Sequence, residues 1–339
     1  MSQTRRINSF RADQTIKIFP HWVARMNQLG AEGVPFLFIL DFDFLSPQVF
    51  TFQEALEKGI RFEINRGNAP VENSTIQKKE IQIQSYPVTQ KEYHHGFDQV
   101  KKAIQAGDTY LLNLCYATRI EGVSSLEEVF DTAIAPYKLL LPGKFVVFSP
   151  ERFVEIQEGL IRTFPMKGTI DAAVPDAKAI LLNDIKEQEE HATVVDLLRN
   201  DLSIVAKEVE VVHYRYISEI QTSGKTLLQC SSEISGKLPG DYLNRLGSIF
   251  YALLPAGSVT GAPKKRTVEL IHQIEPEPRG HYTGVFGVFD GENLDSGVMI
   301  RMIEQRSDGY YYRSGGGITY RSEMMQEYQE MIDKIYIPR

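Results

Sequence analysis

The order of helix-like and strand-like segments along this chain of 339 residues favours an α+β fold. Runs of alternating or β-branched residues predict strands, and apolar residues spaced three and four apart predict helices. The two kinds of segment are mixed without strict alternation, which favours α+β over a doubly wound parallel sheet. Residues 1–90 are rich in strand-like runs, and we expect them to pack into the same fold as residues 91–336.

The same patterns give approximate positions for the elements. Strands are predicted at 36–40, 61–64, 81–88, 110–118 and 209–217, with a loop at 71–79. Helices are predicted at 95–106, from 125 onward, at 184–200, from 263 onward and at 322–335. The runs 144–149 and 152–156 are predicted to form a hairpin, and 282–320 a meander with turns at residues 290–291 and 308–309.

Charge and composition narrow the classes of protein that this chain can belong to. The net charge of -7 argues against a general nucleic-acid binder, because such a protein needs a basic face. No apolar run approaches the roughly 20 residues that cross a membrane. The two cysteines, Cys115 and Cys230, lie in apolar sequence and do not form a disulfide framework. We therefore expect a cytoplasmic protein without a nucleic-acid or membrane partner.

The predicted helix at 184–200 carries two carboxylates on its apolar side. At 100° per residue, Glu187 and Glu190 share an arc of roughly 100° with Val194, Leu197 and Leu198. Buried carboxylates must be paired, hydrogen-bonded or bound to a metal. In the alternative interpretation the helix start frays and both acids reach water, and this helix alone does not decide between the two.

The last predicted helix has a second pair of carboxylates, Glu327 and Glu330. Both lie away from its apolar stripe, so on their own they indicate a solvated face. The stripe consists of Met325, Tyr328, Ile332 and Ile335. Together, the two glutamate pairs could form an all-oxygen site for Mg²⁺, which prefers few carboxylates and an anionic ligand from the substrate.

Two glycine-rich segments suit close approach to an anion. The segment from Gly257 to Lys264, which includes Thr260 and Gly261, leads into a helix whose free N–H groups favour negative charge. The second segment contains Gly315, Gly316 and Gly317 and joins a strand to the last helix. The alternative for each is a plain tight turn.

Two basic residues stand in apolar sequence. Arg301 lies in a predicted strand at 298–303, where a guanidinium needs a carboxylate partner, either from a ligand or from the protein itself. Lys167 lies between apolar residues and a glycine at 163–170. A lysine shielded from water can act as an amine nucleophile, whereas the ordinary alternative is an exposed lysine in a turn.

These segments, in this order, resemble those of the chorismate-binding enzymes. That family includes component I of anthranilate synthase and of aminodeoxychorismate synthase, and the isochorismate and salicylate synthases. The matching stretches are PMKGTI, KEQEEHATVVDLLRND, GSVTGAPKKRTVELI, the strand of Arg301 and SGGGITYRSEMMQEYQE. The resemblance covers about residues 90–335 and implies two large sheets packed face to face, with helices outside and a catalytic domain over residues 91–336.

The resemblance also implies roles for these residues. Glu190 and Glu330 resemble direct Mg²⁺ ligands, with Glu187 and Glu327 acting through water, and the metal would hold the ring carboxylate of chorismate. A pocket for the second carboxylate of chorismate is implied by the remaining matches, namely Arg301, Tyr282, Thr260, Gly261, Lys264, Gly315, Gly316 and Gly317. Each carboxylate of the dianion then has its own counter-group.

Lys167 points to one branch of the family, aminodeoxychorismate synthase component I. In that branch the matching residue is usually a lysine, thought to displace the 4-hydroxyl before ammonia replaces it, whereas anthranilate synthases usually have alanine. Leu111 stands where isochorismate and salicylate synthases carry a lysine base, and Gln229 where many relatives have histidine. The ammonia would come from a separate glutamine amidotransferase subunit. Anthranilate synthase and a non-catalytic anion-binding protein remain the alternatives.

Overall fold

The structure, a computed structural model, describes residues 20–64, 81–222 and 225–338. The loop predicted at 71–79 lies outside these ranges. Over the described ranges, every helix is too short or too polar to cross a membrane.

The strands of the described residues are short in the N-terminal part and longer in the C-terminal part. They are β1 (Phe36–Leu40), β2 (Gln48–Thr51), β3 (Arg61–Ile64), β4 (Gln84–Tyr86), β5 (Leu111–Glu121), β6 (Tyr137–Leu141), β7 (Phe145–Ser149), β8 (Arg152–Gln157), β9 (Leu160–Thr163), β10 (Met166–Asp171), β11 (Lys207–Thr222), β12 (Lys225–Lys237), β13 (Gly261–Ala262), β14 (Val285–Phe289), β15 (Leu294–Val298), β16 (Met302–Arg306) and β17 (Gly309–Thr319).

The helices lie between these strands without a regular alternation. They are α1 (His21–Ala31), α2 (Phe52–Glu57), α3 (Gln90–Gln105), α4 (Leu126–Thr132), α5 (Ala177–Asn183), α6 (Ile185–Ser203), α7 (Leu246–Leu253), α8 (Lys264–Ile274) and α9 (Met324–Asp333), with 3₁₀ turns at Tyr242–Arg245 and Gly257–Val259.

Two antiparallel sheets organise the described chain. The first has the order β10-β12-β9-β8-β15-β14-β1-β2, with β11 also paired to β12. The second has the order β13-β5-β17-β16-β7-β6-β3, with β4 paired to β5. β1 and β2 complete the first sheet and β3 and β4 belong to the second, so the N-terminal strands contribute to both. The predicted α+β class is confirmed.

The sheets face each other across an apolar layer, and β1 shows how the sequence divides between two layers. Every residue of β1 is buried. Leu37 and Ile39 pack with Leu139 and Val147 of the second sheet, whereas Phe38 packs on the outer side of the first sheet with Phe250 of α7. Because successive side chains point to opposite faces, one strand fills both layers.

The structure corrects the predicted hairpin and the predicted meander. β7 and β8 are consecutive but belong to different sheets, and so do β15 and β16. The two segments run side by side as one antiparallel ribbon, with Met302 opposite Val147 in one sheet and Gly297 opposite Arg152 in the other. Strands that switch sheets through a bend form the corners of such packings. The sequence predicted these strands, but their alternation does not encode the bend.

Helices α3 and α4 both begin at capping residues. Ser125 caps α4 as predicted, because its hydroxyl accepts the Glu128 N–H. α3 begins five residues before the predicted position, at a capping box formed by Thr89 and Glu92. The predicted strand at 81–88 is shorter, and α6 extends to Ser203.

Candidate active site

A cavity of about 270 Å³ lies where the two sheets meet. Its wall includes several of the residues that the sequence singled out, and others that it did not. The predicted site residues in the wall are Lys167, Tyr282, Arg301, Gly315, Gly317 and Glu330. The wall also contains polar residues for which the sequence predicted no individual role, among them Asn113, Glu151, Ser258 and Lys334.

Arg301 lies in the bend between β15 and β16, not within a strand as predicted. Its φ is 52°, a left-handed conformation that costs a side-chain-bearing residue about 1–2 kcal/mol. Its Nε is buried without a hydrogen-bond partner, and no acidic side chain in the described part of the chain pairs with it. The guanidinium stacks over Tyr336 at 5.1 Å. A strained, unpaired guanidinium in a cavity wall is suited to a ligand carboxylate.

Glu151 lies in the other half of the same bend, between β7 and β8. The two halves are hydrogen-bonded together, because Val298 N–H donates to the Glu151 carbonyl and Phe148 N–H to the Arg301 carbonyl, each at 3.0 Å. The Glu151 carboxyl accepts the Ser258 hydroxyl at 2.6 Å. Burial raises the pKa of Glu151, although Ser258 and nearby cations oppose the shift. This carboxyl can therefore hold a proton inside the cavity.

Glu151 was missed because a polar residue between two strand-like runs resembles an ordinary turn. Lys334 could have been found, since it lies four residues after Glu330, at the C-terminal end of α9. Its ammonium contacts Glu330 Oε1 at 2.7 Å and the Gly315 carbonyl at 2.8 Å. Lys334 thus adds a further positive charge to a wall that already contains Lys167 and Arg301.

Lys167 lies on β10, an edge strand of the first sheet, and its side chain is about one-third exposed. The pairing of β10 with β12 shifts register between Lys167 and Thr169, and Gly168 has a φ of 72°. Such bulges re-aim a side chain. The Lys167 ammonium lies 3.9 Å from Glu190 Oε2. The alternative of a fully exposed turn lysine does not describe this residue.

The four predicted metal ligands form two pairs. A Cβ atom on Gly168 would lie 3.0 Å from Glu187 Oε2, which places Glu187 and Glu190 beside β10. A Cβ atom on Gly316 would lie 3.4 Å from Glu327 Oε2 and 3.6 Å from Glu330 Oε1. Gly316 therefore leaves the space that these two carboxylates need.

The last helix taken alone indicated a solvated face for both glutamates, which holds for Glu330, 53% exposed, but not for Glu327. Glu327 is 4% exposed, whereas Met325 of the predicted apolar stripe is 53% exposed. The helix turns its glutamates toward β17 because the glycine segment there has no side chains to exclude them. This segment lies inside β17, not between a strand and the helix as predicted.

The four carboxylates suit Mg²⁺ chemically, but they do not converge on a single point. All four groups are carboxylates, the hard oxygen donors that Mg²⁺ prefers, and one or two carboxylates suffice when the substrate supplies further oxygens. Nowhere in the described ranges do three or more His, Cys, Asp or Glu side chains form a group placed to hold a metal ion. The magnesium site therefore stays a prediction, one that depends on a ligand to bridge the pairs.

The segment from Gly257 to Lys264 contributes to the cavity differently from what was predicted. The Lys264 ammonium is bound to Asp201 at 2.8 Å and to the Leu253 carbonyl at 2.7 Å. The Thr260 hydroxyl donates to the Ala256 carbonyl at 2.7 Å. Gly261 packs tightly against Leu111. These contacts do not support substrate binding by Thr260, Gly261 or Lys264. Ser258 and Val259 line the cavity instead.

Two further wall residues, Tyr282 and Gln229, offer hydrogen-bonding groups without a charge. Tyr282 is 4% exposed, and burial raises the pKa of its phenol, so the neutral hydroxyl is the form available. Gln229 lies on β12 opposite Thr169 and lines the cavity. A glutamine side chain offers hydrogen bonds but no titrating nitrogen.

Comparison with known proteins identifies the family. The family model described as chorismate binding enzyme matches residues 48–338. The chain belongs to the chorismate-binding enzyme family. It is 48% identical over 318 residues to an uncharacterized PabA-like protein of Pasteurella multocida, covering 94% of this chain and 98% of that protein.

Relatives with named activities are more distant. The chain is 33% identical over 263 residues to aminodeoxychorismate synthase component 1 of Klebsiella aerogenes, covering 73% of this chain and 57% of that protein. It is also 33% identical over 310 residues to an anthranilate synthase component 1 of Haloarcula marismortui, covering 86% and 62%. Identity alone therefore does not choose between the two activities.

Solved structures agree with the fold. Anthranilate synthase component I of Streptococcus pneumoniae superposes with a TM-score of 0.62 at 25% identity, covering 83% of this chain and 63% of that one. The isochorismate synthase MenF of Escherichia coli gives a TM-score of 0.67 at 16% identity, covering 92% and 79%. The expected architecture of two large sheets with outer helices is confirmed.

Proposed function

We propose that this chorismate-binding enzyme aminates chorismate as an aminodeoxychorismate synthase component I, with ammonia from a separate glutamine amidotransferase. The observation that carries the proposal is the place of Lys167. Its amine is in the same cavity as the partly buried Glu151 and the Arg301 guanidinium, whose Nε has no hydrogen-bond partner. A nucleophile, an anion site and a proton donor are the three groups that displacement of a ring hydroxyl needs.

The residues divide the work as follows. Arg301 binds the carboxylate of the enolpyruvyl side chain, and the neutral Tyr282 hydroxyl supports it. The ring carboxylate lies toward Lys334 and the glutamate pairs. When bound there, Mg²⁺ would be held by Glu190 and Glu330, assisted by Glu187 and Glu327, and would neutralise the carboxylate. Binding both carboxylates orients the ring over Lys167.

The chemistry then proceeds in two displacements. The Lys167 amine forms a bond to the ring carbon that carries the hydroxyl, and the hydroxyl leaves as water with the proton that Glu151 holds. Ammonia forms the new carbon–nitrogen bond, the Lys167 amine leaves from the same carbon, and the proton that ammonia gives up returns to the Glu151 carboxylate. The enolpyruvyl group is retained, so pyruvate is not a product.

The deciding experiment is a product assay on the purified chain with chorismate, Mg²⁺ and ammonium, analysed by mass spectrometry. We expect 4-amino-4-deoxychorismate without pyruvate. Lys167→Ala should reduce its formation at least about 100-fold, because loss of a catalytic nucleophile removes a large part of the rate enhancement, while Mg²⁺-dependent chorismate binding persists. Lys178→Ala on α5 is the matched control and should leave the rate unchanged.

Anthranilate synthase is the second candidate, because a relative with that name matches more of the chain than the named aminodeoxychorismate synthases do. Anthranilate with an equal amount of pyruvate would establish that activity instead. Unchanged amination by Lys167→Ala would remove the covalent role of the lysine but keep the substrate assignment.

A further inference from the structure

Lys101 of α3 connects to the turn between β17 and α9. Residues 320–323 connect β17 to α9, and three carbonyl groups at the end of β17 and in this turn converge on Lys101 of α3. The ammonium donates to the Thr319 carbonyl at 3.3 Å, to the Ser322 carbonyl at 3.2 Å and also to the Tyr320 carbonyl. An ammonium has three N–H donors, so this one is fully used by main-chain atoms.

The surroundings of Lys101 show that it is an anchor and not a solvated surface charge. The side chain is half-buried, and its ammonium lies over the rings of Phe97 and Tyr320 at 5.8 and 5.5 Å. The start of α9 needs such an anchor, because its N-cap residue, Glu323, makes no side-chain capping hydrogen bond. Without a cap, the orientation of a short helix is set by its tertiary contacts.

The other end of α9 is tied to β17 in the same way. Lys334 directly follows the helix, and its ammonium donates to the Gly315 carbonyl at 2.8 Å. Both ends of the helix are thus connected to main-chain carbonyls by an ammonium group. Glu327 and Glu330 lie between the two anchors, above Gly316.

We propose that Lys101 is a positioning residue that sets the distance between α9 and β17, and with it the places of Glu327 and Glu330 at the substrate cavity. This inference rests on the proposed function, because it assigns those glutamates to the bound substrate and its metal. Lys101 itself lies on a helix that contributes nothing to the cavity wall. It acts through main-chain atoms and touches no reacting group.

A second connection from the same turn serves as an internal comparison. Arg321 pairs with Glu189 of α6 at 3.0 Å, so the turn also reaches the helix of the other glutamate pair. Both side chains are more than half exposed, and an exposed ion pair is worth little. The anchoring is therefore assigned to Lys101, and Arg321→Gln should have little effect.

The test compares Lys101→Met with Lys102→Met, whose lysine is the exposed neighbour on the same helix. The first measurement is hydrogen exchange by mass spectrometry on the full chain without ligands. We expect faster exchange in residues 324–334 of Lys101→Met only. The second is chorismate consumption against Mg²⁺ concentration, whatever the product. The Mg²⁺ concentration for half-maximal rate should rise about 10- to 100-fold, as for other residues that orient metal ligands.

Each result decides the inference. Unchanged exchange in 324–334 would overturn it, even if the wild-type chain failed to consume chorismate, because exchange does not depend on activity. Faster exchange throughout the chain would show a general loss of stability and would also overturn it. Local loosening with an unchanged Mg²⁺ requirement would overturn the link to the site. Lys101→Arg keeps the charge and should recover part of the Mg²⁺ response.

Discussion

Two residues in the cavity wall are in local environments that lower the stability of the folded protein. Arg301 combines a left-handed backbone with an unpaired buried Nε, and Glu151 is partly buried, with a carboxyl pKa that desolvation raises. Strained or unpaired groups persist only where the surrounding structure holds them, and they concentrate at functional sites. The ribbon that bends between the two sheets holds both residues.

Removing the Arg301 guanidinium tests its role as the carboxylate site. Arg301→Met should raise the KM for chorismate about 10- to 100-fold, since a charge-assisted hydrogen bond contributes about 1.5–3 kcal/mol. The measurement is steady-state kinetics together with the melting temperature. Arg199→Met, at an exposed position on α6, is the control. An unchanged KM in Arg301→Met would place the substrate carboxylate elsewhere.

Glu151 gives a pH prediction with a definite sign. Its folded-state pKa lies above the ordinary value of 4.5, so the folded protein holds a proton that the unfolded chain releases. This stabilisation is fully present below pH 4.5 and is lost as the pH rises through the raised pKa. Glu151→Gln should remove that part of the pH dependence in denaturant unfolding. Activity of the wild-type protein should fall as the pH rises through the raised pKa, because Glu151 then has no proton to donate. Glu151→Gln should lose most of the activity and should not show this fall.

At the scale of elements, the β10 bulge decides where the Lys167 side chain lies. Gly168 adopts a φ of 72°, and a Cβ atom there would lie 2.8 Å from Leu181 of α5. The pairing register with β12 shifts at the same place. Only a glycine allows the strand to turn Lys167 toward the cavity while α5 packs against it.

Gly168→Ala should therefore lower kcat at least about tenfold, because a small displacement of a reacting group has large effects on rate. Stability should fall by about 1–2 kcal/mol from the left-handed backbone. Gly240→Ala is the matched control, since a Cβ atom there meets nothing within 4 Å. Kinetics and urea unfolding of both variants give the comparison, and equal kcat values would contradict the role of the bulge.

At the scale of the whole molecule, the layer between the two sheets makes them one cooperative unit. Leu37 is fully buried in this layer and packs with residues of both sheets. Because the cavity wall takes residues from both sheets, any change in their relative position moves Lys167 relative to Gly315 and Glu330. The site therefore depends on packing far from the chemistry.

Leu37→Ala should lower the free energy of unfolding by about 2–5 kcal/mol, the cost of a large-to-small change in a packed core. Leu45→Ala, at a position that is 82% exposed, should change it by no more than about 0.5 kcal/mol. Both proteins should unfold in one transition when followed by fluorescence and by circular dichroism. Separate transitions for the two probes would show that the sheets unfold independently.

The sequence by itself determined the fold class, most of the strands and several of the charged residues that line the cavity. Local signals sufficed for these, because capping residues, apolar periodicity and glycine turns act within a few residues of the chain. Lys167, Arg301 and the glutamate pairs could be selected because charged groups in apolar sequence need partners.

Only the tertiary structure decided which of these residues meet. The ribbon crosses from one sheet to the other through a bend that has no local sequence signal, so Glu151 and the exact setting of Arg301 were not predictable. The burial of Glu327 depends on the glycine segment of β17, and β17 pairs with β5, which is distant in the sequence. The ion pair of Lys264 with Asp201 was not predictable either, because pairing between distant segments is set by packing and not by sequence spacing.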